Sequence, residues 1–96
     1  MLKVTLFSRN ECHLCEVVEE ELDSLQRKYP HQLTTIDLDQ NPEFQAAYGN
    51  EIPVIQIGSS FLKAPIELTK IEETLSIAFN QLKKFKNSEN QYGPKK

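Results

Sequence analysis

Between Leu2 and Tyr29 the spacing of apolar residues changes from that of a strand to that of a helix, and the change falls on the chain's only two cysteines. Leu2, Val4 and Leu6 alternate with Lys3 and Thr5, the period of a strand, before Ser8-Arg9-Asn10-Glu11 breaks the pattern. From Leu14 the apolar positions Leu14, Val18, Leu22, Leu25 and Tyr29 advance by three or four residues. That spacing places them on one face of a helix, which Pro30 cannot continue. Cys12-His13-Leu14-Cys15 marks the joint between the two elements.

The remaining elements follow from the same signals. Leu33, Ile36 and Leu38 mark a second strand ending at Asp39, and Asn41-Pro42 with Gly49 supplies a cap, a first-turn proline and a terminator for a short helix. Pro53 to Ile57 is rich in β-branched residues and closes at Gly58, which predicts a third strand with proline at its first position. Phe61 to Lys63 reads as a short fourth strand reached through a hairpin. Thr69 and Glu72 form a capping box ahead of Ile71, Leu75, Ala78, Phe79 and Leu82, the apolar face of a last helix. The predicted order is βαβαββα, one α/β domain over residues 1–85, with residues 86–96 expected to be a disordered basic tail.

Charge is divided unevenly along the 96 residues. Residues 1–82 carry 13 acidic and 6 basic side chains, whereas residues 83–96 carry 1 and 5. An acidic body lacks the basic face that nucleic acid demands, so no nucleic-acid partner is expected, and the lysine-rich end reads as a solvated tail. The N-terminal stretch lacks the apolar core of a secretion signal, and no segment is long enough to span a bilayer. The expectation is therefore a cytoplasmic monomer with no membrane association. In that compartment two cysteines three apart are more often catalytic or metal-binding than a structural staple, and their resting form is expected to be the dithiol.

A helix start is a favourable place for a reactive sulfur. The first backbone N–H groups are unpaired there and the helix carries roughly half a positive charge at that end, which favours thiolate over thiol. Residues three apart on a helix have Cβ atoms about 5–6 Å from each other, close enough to bond with little backbone movement. Cys12, at the helix mouth, keeps its exposure; Cys15, one turn in beside the apolar face begun by Leu14, is expected to be buried. Arg9 and a protonated His13 favour a thiolate at Cys12, while Glu11 and Glu16 oppose it.

A strand running into Cys-x-x-Cys at a helix start, with Ile52-Pro53 opening the third strand and a βαβαββα order, resembles the thioredoxin superfamily, most closely its small glutaredoxin-like proteins. The resemblance covers about residues 2–82 and implies a central four-stranded mixed sheet flanked by helices. It implies Cys12 as the nucleophile and Cys15 as the resolving thiol of a thiol–disulfide oxidoreductase. It also implies a cis Ile52–Pro53 peptide beside the cysteines, with the backbone of Ile52 pairing with a substrate chain in β fashion. Arg9, His13, Ile52 and Pro53 are the expected substrate-contacting residues. The substrate would be a disulfide-containing protein or a low-molecular-weight thiol, with glutathione or thioredoxin as reductant and no bound cofactor.

The chain departs from that family at one place that matters for glutathione. Leu62-Lys63-Ala64-Pro65-Ile66-Glu67 occupies the stretch where glutathione-using members carry paired glycines and an acidic residue, and it lacks their close backbone approach to a ligand. His13-Leu14 also matches neither the Gly-Pro of thioredoxins nor the Pro-Tyr of glutaredoxins. Two rival readings stand beside the enzyme. One is a redox-inert binding module that docks its partner at Ile52-Pro53. The other is a metal or iron–sulfur protein using Cys12, Cys15, His13 and His31, ligand types that suit zinc. Spacing weighs against the metal reading, because His31 lies 16 residues beyond Cys15, about 24 Å along a helix.

Overall fold

The computed structural model describes the backbone of residues 1–95 and the side-chain surroundings of residues 1–84. Strand β1, Leu2–Ser8, leads through a short loop to helix α1, His13–Ser24, and the chain returns as β2, His31–Asp37. Two single 3₁₀ turns, Leu38–Gln40 and Pro42–Phe44, precede the four-residue helix α2, Gln45–Tyr48. Strands β3, Val54–Ile57, and β4, Ser60–Lys63, form a hairpin, and α3 spans Leu68–Lys95. That span runs past the domain end expected at residue 85; the surroundings of residues 85–96, and with them the expected basic tail at 86–96, lie outside the described residues.

The four strands make one mixed sheet in the order β2-β1-β3-β4. β1 runs parallel to β2 and antiparallel to β3, and β3 runs antiparallel to β4. This is the α/β thioredoxin-like arrangement, a four-stranded mixed sheet flanked by three helices. One face of the sheet, carrying Leu2, Val4, Leu6, Ile55 and Ile57, closes against Val18, Leu22 and Leu25 from α1 and its following turn, and against Ile71 and Leu75 from α3. The opposite face carries Phe7 and Val54, covered by Leu38, Phe44 and Tyr48. Phe7 and Tyr48 have ring centroids 4.5 Å apart. Among the described residues no helix is long and apolar enough to cross a membrane.

Several elements end elsewhere than the periodicity predicts, each for a local reason. β2 stops at Asp37 because the Asp37 carboxylate accepts the Asp39 N–H at 2.9 Å and its carbonyl accepts the Asn41 side-chain amide at 2.8 Å. Those bonds turn the chain, so Leu38 is buried from a 3₁₀ turn and not from a strand. α1 ends at Ser24, where the Leu25 and Gln26 amides reach carbonyls three residues back and the Ser24 hydroxyl donates to the Glu21 carbonyl at 2.7 Å. Gly49 keeps a right-handed φ of −53° and so is no left-handed terminator. A Cβ there would lie 2.6 Å from the Gln45 carbonyl oxygen, and this close approach is what glycine permits. The predicted capping box is also displaced: α3 starts at Leu68, the Glu67 carbonyl accepts the Lys70 and Ile71 amides, and Thr69 sits inside the first turn.

Glu72 bonds instead to Lys28 Nζ at 2.8 Å, tying α3 to the turn after α1. Hydrogen bonding to Glu72 first, and that carboxylate's charge second, raise Lys28 above its ordinary value of 10.5. A cation whose folded value is raised contributes its full stabilisation below the unfolded value and loses it as pH climbs through the folded one. The urea-midpoint difference between wild type and Lys28→Met is therefore expected to stay constant from about pH 6 to 9 and to shrink only above about 10.5. Core and surface positions of α1 are expected to separate sharply in the same assay. Leu22 is fully buried, and Leu22→Ala should cost about 2–5 kcal/mol with an unchanged denaturant slope. Leu14→Ala should stay within about 0.5 kcal/mol.

Candidate functional site

Three residues, Arg9, Asn10 and Glu11, separate the end of β1 from Cys12, and their turn sets how the cysteine is presented. Glu11 sits at φ 60°, in the left-handed region, and reverses the chain so that Cys12 enters α1 with an extended backbone at φ −105° and ψ 98°. Cys12 is thereby the N-cap: its carbonyl accepts the Glu16 N–H at 3.1 Å, and its sulfur accepts the Cys15 N–H at 3.2 Å. A sulfur in the capping position takes over one of the unpaired amides of the first turn, a bond that strengthens when the acceptor is charged.

Cys12 and Cys15 are joined by a disulfide, with Cα atoms 5.2 Å apart. The sequence reading favours the dithiol at rest; the structure describes the oxidised partner of the same couple. One helical turn holds the two Cα atoms inside the disulfide window of about 4.4–6.8 Å, so either form fits the same backbone. Exposure divides the pair. Cys12 is half-buried, while Cys15 is 5% exposed. Leu14, expected to begin the buried face, is instead 60% exposed. It lies in the same turn as buried Cys15 but about 100° around the helix from it, on a side that is left uncovered.

The other anticipated residues spread around this end of the sheet. His13 is exposed, with Nδ1 4.0 Å from a Glu16 carboxylate oxygen. Ile52–Pro53 is cis, as is Ala64–Pro65. Phe7 pairs with Val54, so extending the register by one residue brings buried Pro53 level with Ser8, at the end of β1 that leads to Cys12. Ile52 is half-buried against the Phe7, Leu38 and Val54 cluster. Arg9 does not extend into water: its guanidinium donates to the Gly49 carbonyl at 3.1 Å and the Gln45 side-chain oxygen at 3.4 Å. Its Nε is buried without a partner among the described residues.

A cavity of about 150 Å³ opens beside the disulfide, walled by both cysteines, Arg9, Glu11, Glu16 and Glu19 among others. The sequence reading passed over Glu19, though its position four residues after Cys15 on the same helix face was a usable signal. The link from Arg9 to Gln45 and Gly49, 36 and 40 residues away, had none. His31 lies far from the site: it pairs with Leu2, at the opposite end of a strand about 20 Å long, buried with Nδ1 2.7 Å from the Tyr29 carbonyl. Among the described residues no three His, Cys, Asp or Glu side chains gather as a metal-holding group.

Because Arg9 joins the loop before Cys12 to α2, Arg9→Ala is expected to lower stability by about 1–3 kcal/mol in urea unfolding. Arg9→Lys should not restore it, since an ammonium cannot present the same planar fork to two acceptors.

The model of a family described as Glutaredoxin-like domain (DUF836) matches residues 3–76. Among solved structures the chain is similar to a structural-genomics target protein from X. campestris, with 24% identity and a TM-score of 0.65 over 77% of this chain and 96% of that one. It is similar to protein Ne2328 from Nitrosomonas europaea, with 27% identity and a TM-score of 0.63 over 75% of this chain and 88% of that one. Thioredoxin O2 from Arabidopsis thaliana, in its oxidised state, shares the fold at 15% identity and a TM-score of 0.69, over 82% of this chain and 76% of that one. No curated protein matches the sequence.

Proposed function

The chain belongs to the glutaredoxin-like domain (DUF836) family of the thioredoxin superfamily, and from that premise we propose that it is a thiol–disulfide oxidoreductase, with Cys12 as nucleophile and Cys15 as resolving thiol. The observation that carries this reading is the capping contact, in which Cys12 sulfur accepts the Cys15 N–H at 3.2 Å at the mouth of α1. In the reduced protein the same amide, and the positive end of the helix behind it, stabilise Cys12 as thiolate.

The reaction runs in two exchanges. Cys12 thiolate attacks one sulfur of a substrate disulfide; that S–S bond breaks, a mixed disulfide forms, and the first substrate thiolate leaves. Cys15, as thiolate, then attacks the Cys12 sulfur, the Cys12–Cys15 bond forms, and the second substrate thiolate departs. Two electrons pass from the cysteine pair to the substrate, and the departing thiolates take up protons. Burial supports this order: Cys12 is half-buried and open to an external disulfide, whereas Cys15 is 5% exposed and lies beside the Cys12 sulfur.

Arg9, His13 and the Ile52-Pro53 backbone are the proposed substrate contacts, in the roles the sequence reading assigned them. Oxidised protein is returned to the dithiol by glutathione, thioredoxin or a dedicated reductase, with the chain acting as a cytoplasmic monomer. Cys15→Ser is expected to accumulate a covalent mixed disulfide with substrate, detectable as a mass adduct released by dithiothreitol. Cys12→Ser should abolish turnover. In the Cys15→Ser protein, Cys12 should react with iodoacetamide near pH 7 about tenfold faster than a free cysteine, because an ordinary thiol is only a few per cent ionised there. Turnover retained without Cys12 would overturn the assignment in favour of an inert binding module.

A further inference from the structure

Charge around the disulfide is lopsided, and it bears on which disulfides the site accepts. Glu11, Glu16 and Glu19 wall the cavity beside Cys12 and Cys15, and among the described residues the cation that joins them there is Arg9, whose guanidinium is already held by Gly49 and Gln45. Asp37, level with Ser8 across the sheet, and Asp39 just after it add negative charge at the same end. Lys63, also at that end, lies opposite Val54 and pairs with Glu51 at 3.3 Å. His13 stands 4.0 Å from Glu16, so any positive charge it acquires is met by a carboxylate. Outside this cavity, on another face of the same helical turn, Leu14 between the two cysteines offers 60% exposed apolar surface.

We propose that the site selects peptide disulfides whose cysteine is flanked by basic residues and an apolar side chain, and disfavours anionic disulfides such as that of glutathione. This deepens the oxidoreductase reading and rests on it. Glu11, Glu16 and Glu19 act as specificity residues, attracting the flanking cations, while Leu14 meets the apolar neighbour. A glutathione disulfide brings carboxylates to a rim that already holds them, and Leu62 to Glu67 provides no glycine cradle to offset the repulsion. Peptide is favoured over a small cationic molecule because an exposed leucine gains only from a partner with apolar surface of its own.

The test uses the full chain, reduced and freed of reductant, and disulfide dimers of one short peptide, acetyl-X-Cys-Leu-X-amide, with X as Lys, Gln or Glu. Reduced Cys12 and Cys15 supply both electrons: the protein disulfide forms, one peptide dimer is cleaved, and two peptide thiols are released. Each rate constant is divided by that of the same dimer with neutral dithiothreitol, which removes intrinsic differences in reactivity. At about 0.01 M ionic strength, where charges act over about 30 Å, the Lys dimer is expected to react at least about tenfold faster than the Glu dimer. The ratio should fall toward one at about 1 M salt, where screening acts within about 3 Å. Glu11→Gln, Glu16→Gln and Glu19→Gln together should compress it at low salt, while Leu14→Ser should slow all three dimers by a common factor.

A ratio near one at low salt, or a preference for the Glu dimer that Arg9→Gln removes, would overturn the selectivity and leave the oxidoreductase reading standing. Failure of all three dimers to oxidise the reduced protein would remove both.

Discussion

Everything at the cysteine end of this molecule depends on β1 being held between two strands, with a hydrophobic layer along one face and a second one at Phe7. Its Leu2, Val4 and Leu6 side chains are buried toward α1 and α3, and Phe7 is buried on the opposite face. A strand paired on both edges, buried along one face and covered at Phe7 on the other, has little freedom to shift, since a slip of one residue would exchange its two faces. The loop that follows is therefore launched from a fixed point, and a single left-handed residue, Glu11, is enough to aim Cys12 into the cap of α1.

That placement divides the labour between two chemically identical side chains. A helix turn separates Cys12 from Cys15 by just enough to permit a bond, and the core begins between them. Cys12 is left half-buried with a backbone amide as its sulfur's partner; Cys15 is enclosed. The difference in accessibility comes from where the helix meets the sheet, and no side chain needs to be specialised for it. The same geometry leaves Leu14 uncovered, because it stands about 100° around the helix from buried Cys15 in the same turn. The acidic character of the body, visible in its composition, becomes local at this end of the sheet, where Arg9 and Lys63 are already engaged by Gly49, Gln45 and Glu51.

Legibility in the sequence followed the range of the interactions involved. The strand-to-helix change at the cysteines, the proline opening β3 and the order of elements are written in residues close together in the chain, and all could be read there. Element ends were less legible, because they turn on single hydrogen bonds. Asp37 capping its own turn ended β2 early, and Ser24 with the Glu21 carbonyl closed α1 before Pro30. Arg9 was readable as a charge near the cysteines but not as a strut to α2, since the chain between them passes through α1 and β2.

Sequence by itself determined the fold class, the joint that carries the cysteines and which of them stands at the mouth of the helix, because periodicity and helix capping act over a few residues and need no tertiary partner. Tertiary structure alone decided that Leu14 faces outward, that Arg9 is tethered, and that three carboxylates share a cavity with the disulfide. Those outcomes depend on which side of α1 turns toward the sheet and on which distant segment lies across it. Such placements are set only when the hydrophobic layers close, and no local pattern of residues encodes them.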